Sequence, residues 1–285
     1  MSAFDRIAVV DWSASSTLRN RPQADAIWIG VASVAGVATS YHPSRFAAEN
    51  ALVALIQQTR QAGESLLLGF DFAMGYPNGF APCLTGQPKA RAVWRWLESQ
   101  ITDSPTQANN RFAVADAINR HFGGKGPFWG HPQGQSFTHL SPRKAVDYAA
   151  LGFAERRQVE LVVPRAQPVW KLFTTGAVGG QSLMGLPMVH RLSQTHGAAV
   201  WPFDAPADVT VAEVYPSLLA PAVTKALAQG GIKDEVQVRL LAQALWRLGQ
   251  EGQLGGLLAE APQDARAEEG WILGATAAAA LLAAL

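Results

Sequence analysis

Two apolar runs in this chain each end in an aspartate. Ile7-Ala8-Val9-Val10 leads into Asp11, and Leu66-Leu67-Leu68-Gly69-Phe70 leads into Asp71. Runs of this length and branching suit buried strands, and near-continuous apolarity suits strands covered on both faces. A carboxylate at the end of such a strand is costly unless something pairs with it. Two of them converging on one crevice call for a divalent cation or a shared proton. The pattern therefore points to a sheet with helices on both sides and an acidic site at the strand ends.

The remaining periodicity fills in the order. Strands are expected over Arg6 to Val10, Ala26 to Val34 and Val37 to Tyr41, with a turn at Ala35-Gly36. Ser44 is placed to cap a helix running from Phe46 to Ala62. Ser65 to Phe70 and Val209 to Val214 follow as strands, and Asp234 to Leu248 as an amphipathic helix with acids in its first turn. A final helix is expected from near Asp264, and the apolar end from Trp271 to Leu285 reads as a buried terminal helix, too short to span a membrane. Strand, strand, strand, helix, strand, then strand and helix is the order of a ribonuclease H-like α/β fold, a mixed sheet flanked by helices. Residues 1–77 and 209–285 would form that core.

Residues 78–208 break the pattern. Leu84 to Ile101 and Ser104 to His121 look helical, His121 to Ser136 is dense in glycine, proline and aromatics, and Phe173 to Pro187 is a glycine-rich loop. Structureless chain of this length does not belong inside a compact domain. The segment reads as an inserted, mainly helical subdomain covering the carboxyl ends of the core strands. It carries 13 Lys and Arg against 8 Asp and Glu, whereas the rest is acidic. A basic cover over an acidic floor suits a metal and an anionic substrate. The whole chain has a formal net charge of only +1, which disfavours a long nucleic acid as partner. One cysteine, Cys83, excludes an internal disulfide, and the start has no signal-peptide pattern, so a cytoplasmic protein without a membrane partner is expected.

Four acids stand at strand exits or helix starts and are the candidates for chemistry: Asp11, Asp71, Glu213 and Asp234. With Mg²⁺ or Mn²⁺, Asp11, Asp71 and Asp234 would ligate the ion and Glu213 would complete the shell or orient water. The run from Trp170 to Pro187 suits a loop that cradles an anion, and Lys171, Gly176, Gly179, Gly180 and Gln181 are its candidate contacts. Ser13, in the hydroxyl-rich loop after Asp11, and Lys125 are further candidates for substrate binding. The stretch Asp11 to Ser16 has a second reading as the phosphate loop of an actin-like ATPase, although Trp12 and Ala14 stand where glycine is usual.

Together, Asp11, the stretch GFDFAMGYP (Gly69 to Pro77), AEVYPSLL (Ala212 to Leu219), the helix opening Lys233-Asp234-Glu235 and WKLFTTGAVGGQSLMGLP resemble a ribonuclease H-like family of predicted nucleases, catalogued as domain of unknown function 429. The resemblance covers most of the chain. It implies a metal-dependent nuclease or phosphohydrolase and fixes no substrate. The terminal acid of such families often sits in an Asp-Ala pair. Here it is Asp234-Glu235-Val236, so either Asp234 or Glu235 would complete the site. The expected function is hydrolysis of a phosphodiester or a nucleotide-like anionic substrate. The alternatives are an actin-like ATP-dependent phosphotransferase and a non-catalytic ligand-binding module on the same fold.

Overall fold

Alternation along the strands builds the molecule. Ile7, Val9 and Leu67 point to one side of the sheet, and Ala8, Val10, Leu66, Leu68 and Phe70 to the other, and all are buried. The computed structural model describes residues 4–124 and 126–285. Its sheet has six strands: β1 (Arg6–Asp11), β2 (Ile27–Ser33), β3 (Gly36–His42), β4 (Leu66–Phe70), β5 (Ala199–Val200) and β6 (Val209–Glu213). Their order is β3-β2-β1-β4-β6-β5, with β1, β2 and β3 antiparallel and β1, β4, β6 and β5 parallel. This is an α/β protein with a mixed sheet between two helical layers.

One layer begins with α1 (Arg45–Gln61), whose Ser44 side chain accepts from the Ala47 N–H at 3.1 Å, as an N-cap does. Ala48, Leu52 and Ile56 of α1 pack on the Val10 side of the sheet. The segment 78–208 continues this layer with α2 (Phe80–Thr85), α3 (Ala90–Gln100), α4 (Arg111–His121), α5 (Gln158–Val162) and α6 (Gly179–His196). Trp94, Leu97, Leu186 and Val189 share one core with the sheet, and the same segment supplies its edge strand β5. It is built into the sheet rather than set upon it. Where a glycine-rich loop is expected from Phe173 to Pro187, the loop is half that length and α6 begins at Gly179, with Pro187 inside the helix.

The opposite layer consists of α7 (Ala220–Leu227), α8 (Lys233–Gln250), α9 (Leu254–Ala259) and α10 (Ala278–Ala283). The chain end is less helical than its apolarity suggests. Near Asp264 there is a single 3₁₀ turn (Gln263–Arg266), and Ile272 runs beside Glu213 before α10 starts. Among the described residues, no helix is long and apolar enough to cross a membrane.

Helix α8 lies hard against β2. A Cβ built on Gly30 would stand 2.8 Å from the Val238 carbonyl carbon and oxygen, which are backbone and cannot rotate away. Gly30→Ala should therefore cost about 1–3 kcal/mol in urea unfolding, and an unchanged midpoint would contradict this packing. The contact matters for the site because α8 also carries Asp234.

Candidate active site

Strand register decides which acids meet. Val10 pairs with Phe70 and Phe70 with Glu213, so β1, β4 and β6 end at one level. Asp11 and Asp71 follow Val10 and Phe70, and their parity turns both towards the α8 side. The Asp71 N–H donates to the Val10 carbonyl at 3.3 Å, and the Trp12 N–H donates to Asp71 Oδ1 at 2.8 Å. Trp12 itself is buried against Phe70 and Phe72, which fixes the backbone that holds Asp71.

Asp11 and Asp71 are close enough for each to perturb the titration of the other. Burial, then the charges of Asp71 and Asp234, raise the Asp11 carboxyl well above the ordinary range. Burial also pushes Asp71 up, to about 7, against the opposing pull of the Trp12 N–H. The charge of Asp71 disfavours ionising Asp11 as well, which disposes the pair to hold one proton. Asp234, in the first turn of α8, is the third carboxylate. It is raised by burial, and its Oδ2 accepts from the Asp25 N–H at 2.7 Å, which opposes that rise. Asp25 has a left-handed backbone (φ 57°) and adds a fourth negative charge. Glu235 is turned elsewhere: it accepts from Thr39 Oγ1 at 3.1 Å and pairs with Arg239. Of the two alternatives at this helix start, Asp234 is the one at the cleft.

Among the described residues, no three His, Cys, Asp or Glu side chains already stand as a ligand set for a metal. The donors are nevertheless oxygen-only, paired and short of positive charge, which is the chemistry of a Mg²⁺ or Mn²⁺ site that keeps several waters.

Glu213 departs from its expected role. It has the parity of Phe70 and so faces away from Asp11 and Asp71. Both its oxygens accept from Arg157, at 2.8 and 2.7 Å, and Oε2 also accepts from the Met74 N–H at 3.1 Å. It anchors the β6 exit through Arg157 and the Met74 amide, and it also lines the cleft.

The cleft above the acids has a volume of about 700 Å³. Ser13, Gly176 and Gln181 line it as expected, together with Arg19, Arg111, Lys233 and the loop from Leu172 to Val178. Gln181 Nε2 donates to the Trp12 carbonyl at 2.5 Å, tying α6 to the loop after β1. Lys171 is spent on its own loop: Nζ donates to the Thr175 carbonyl at 2.6 Å and lies over the Trp129 ring. Gly179 and Gly180 are buried where α6 begins and serve close packing. Lys125 lies outside the described residues. Sequence reasoning missed Asp25, Arg19 and Arg111. Arg111 had left a signal, because a cation in the first turn of a helix runs against the macrodipole.

Comparison with family models, with curated proteins and with solved structures gave no match.

The shared proton has a measurable consequence. Both carboxyls titrate above their unfolded value of 3.8, so the folded protein binds protons that the unfolded chain has released. In chelator, stability should be greatest near pH 4 and fall by a few kcal/mol as pH rises through about 7, where Asp71 ionises. Melting temperatures across pH 4–8 test this, and Asp71→Asn should flatten the decline. A wild-type curve that rises over that range would refute the shared proton.

Proposed function

We propose that the protein is a divalent-metal-dependent phosphohydrolase on a ribonuclease H-like sheet, acting on a phosphodiester or nucleotide-like anionic substrate. The observation that carries the reading is the Asp11–Asp71 pair: two half-buried acids, at the ends of adjacent parallel strands, at the floor of a cleft that also holds cations. The sheet order supports the fold reading, with three antiparallel strands and then β4 and β6 parallel to β1. It is the order expected for the family the sequence resembles.

Asp11 and Asp71 would hold Mg²⁺ or Mn²⁺ once their shared proton leaves, with Asp234 reaching the same space from α8. The ion would supply Lewis-acid polarisation of a phosphoryl oxygen and an acidified water. The chain's own part is to place charge. Trp12 N–H orients Asp71, Asp25 N–H orients Asp234, and Arg19, Arg111 and Lys233 balance an anion across the cleft. Walls formed by the loop from Leu172 to Val178 suit a small substrate better than a continuous duplex.

Calorimetry with Mn²⁺, followed by a hydrolysis screen of phosphodiesters and nucleotides with and without the ion, tests the proposal. Mn²⁺ binding together with ion-dependent release of product is expected. Absence of binding would refute it. Strong Mg²⁺-dependent stabilisation by ATP without phosphodiester cleavage would instead favour a phosphotransferase.

A further inference from the structure

Three arginines are buried among the described residues: Arg45, Arg111 and Arg157. Two are neutralised. Arg45 makes a two-point ion pair with Asp103, at 2.6 Å on both bonds, and Arg157 is paired with Glu160 and Glu213. Arg111, only 8% exposed, has no carboxylate partner. Its Nη1 donates to Ser16 Oγ at 2.9 Å and to Asn109 Oδ1 at 2.8 Å, its Nε is buried with no partner, and its Nη2 makes no hydrogen bond among the described residues. Its guanidinium carbon lies 4.3 Å from the centre of the Phe112 ring, and burial and the neighbouring Arg45 charge pull its pKa down to about 10.

The surroundings add positive potential. Arg111 is the first residue of α4, so it sits at the positive end of that helix. The start of α6 is its neighbour: a Cβ on Gly180 would lie 3.5 Å from Arg111 Nε and 3.3 Å from the Ala14 Cβ, so glycine permits this approach. No side chain caps α6, and Ala177, Val178 and Gln181 from its start line the same cleft as Arg111. Because Ser16 Oγ accepts from Arg111, its own proton is free to donate. Arg19, whose Nε is also buried without a partner, lines this cleft as well.

We propose that Arg111, Ser16 and the first turn of α6 form a phosphate subsite that takes a terminal phosphate monoester of a small substrate. The guanidinium Nη2, which makes no hydrogen bond among the described residues, meets a phosphate oxygen, and the helix amides and the serine hydroxyl serve the others. The substrate then has two anionic points, one over the Asp11–Asp71 floor and one at Arg111. This deepens the hydrolase reading in that it assigns the second point to the substrate, while the subsite itself needs no metal.

The test is therefore run in chelator with the whole chain. Uridine 5′-monophosphate, uridine and inorganic phosphate are titrated by calorimetry into wild type, Arg111→Gln and Arg111→Lys. The monophosphate should bind wild type at least about tenfold tighter than uridine, a step of 1.4 kcal/mol or more. Arg111→Gln should lose that preference and Arg111→Lys should keep part of it. The melting temperature of ligand-free Arg111→Gln should equal or exceed that of wild type, because an uncompensated charge has been removed. A merely structural arginine would give a lower one. Equal binding of uridine and its monophosphate, or an unchanged preference in Arg111→Gln, overturns the proposal. Inorganic phosphate binding as tightly as the monophosphate overturns the substrate assignment in favour of free phosphate. Should Arg111→Gln not fold, Arg111→Lys decides: undiminished preference refutes the guanidinium contact. Loss of Mn²⁺ binding elsewhere would sink the hydrolase and leave these titrations untouched.

Discussion

Arg157→Met should destabilise the protein by about 3–5 kcal/mol, the scale for removing one partner from a buried ion network. Arg157 is 2% exposed and four of its five guanidinium N–H groups are used: Nε to Glu160 at 2.9 Å, Nη1 and Nη2 to Glu213, and Nη1 also to the Glu269 carbonyl at 2.9 Å. Burial alone would pull its pKa down, yet Glu213 and Glu160 drive it up. Its backbone N–H donates to Glu160 as well, at 3.0 Å. With the arginine gone, two buried carboxylates face each other without a counter-ion and must take up protons. Urea unfolding followed by tryptophan fluorescence reads the loss, and a change below about 1 kcal/mol would contradict the account. The triple variant with Glu160→Gln and Glu213→Gln should recover part of it, because the penalty lies in stranded charge rather than in the arginine's own contacts. This variant also separates scaffold from chemistry: Glu213, an expected catalytic acid, should prove to matter through folding.

The difference between Glu213 and Asp71 shows what a sequence can carry. Both follow apolar runs and both stand at strand ends, so composition treats them alike. One step of strand parity sends Asp71 to the α8 side and Glu213 to Arg157. Parity against neighbouring strands is a property of register, which needs the partner strands to be known. Elements with strong local signals were legible: β1, β2, β4, β6, α1 with its Ser44 cap, and α8 with Asp234 in its first turn. Where local preference and tertiary packing disagree, the reading failed. Leu84 to Ile101 looked like one helix but is cut at Gly86, and α3 starts only at Ala90. Pro187 and four glycines argued for a loop, yet α6 runs through the proline and three of the glycines, held by buried Leu183, Leu186 and Met188. The two-residue strand β5 has no pattern long enough to detect. Arg111 offered only its place at a helix start, because the rest of its meaning lies in the counter-ion it lacks among the described residues, and sequence does not show absent neighbours.

Asp11→Asn should abolish divalent-ion binding while leaving the fold intact. In the wild type the Asp11 carboxyl is raised by burial and by the charge of Asp71, which favours its neutral form. An asparagine amide can donate in the same place with nearly the same shape, so the sheet end should keep its geometry. In chelator at pH 8 the variant should be more stable than wild type, since one buried carboxylate and its repulsion with Asp71 and Asp234 have gone. The ion, however, loses an anionic ligand that amide oxygen replaces poorly. Outer partners of metal ligands alone are worth up to about 100-fold in affinity, so a direct ligand should cost at least that. Calorimetry with Mn²⁺ at pH 8 and a melting curve on the same sample read both effects together. Higher stability with lost binding is the signature of a site strained for its ion. Equal Mn²⁺ affinity in the two proteins would mean that Asp11 and Asp71 hold only a proton, and the cleft would then be a binding pocket for an anion with no hydrolytic floor.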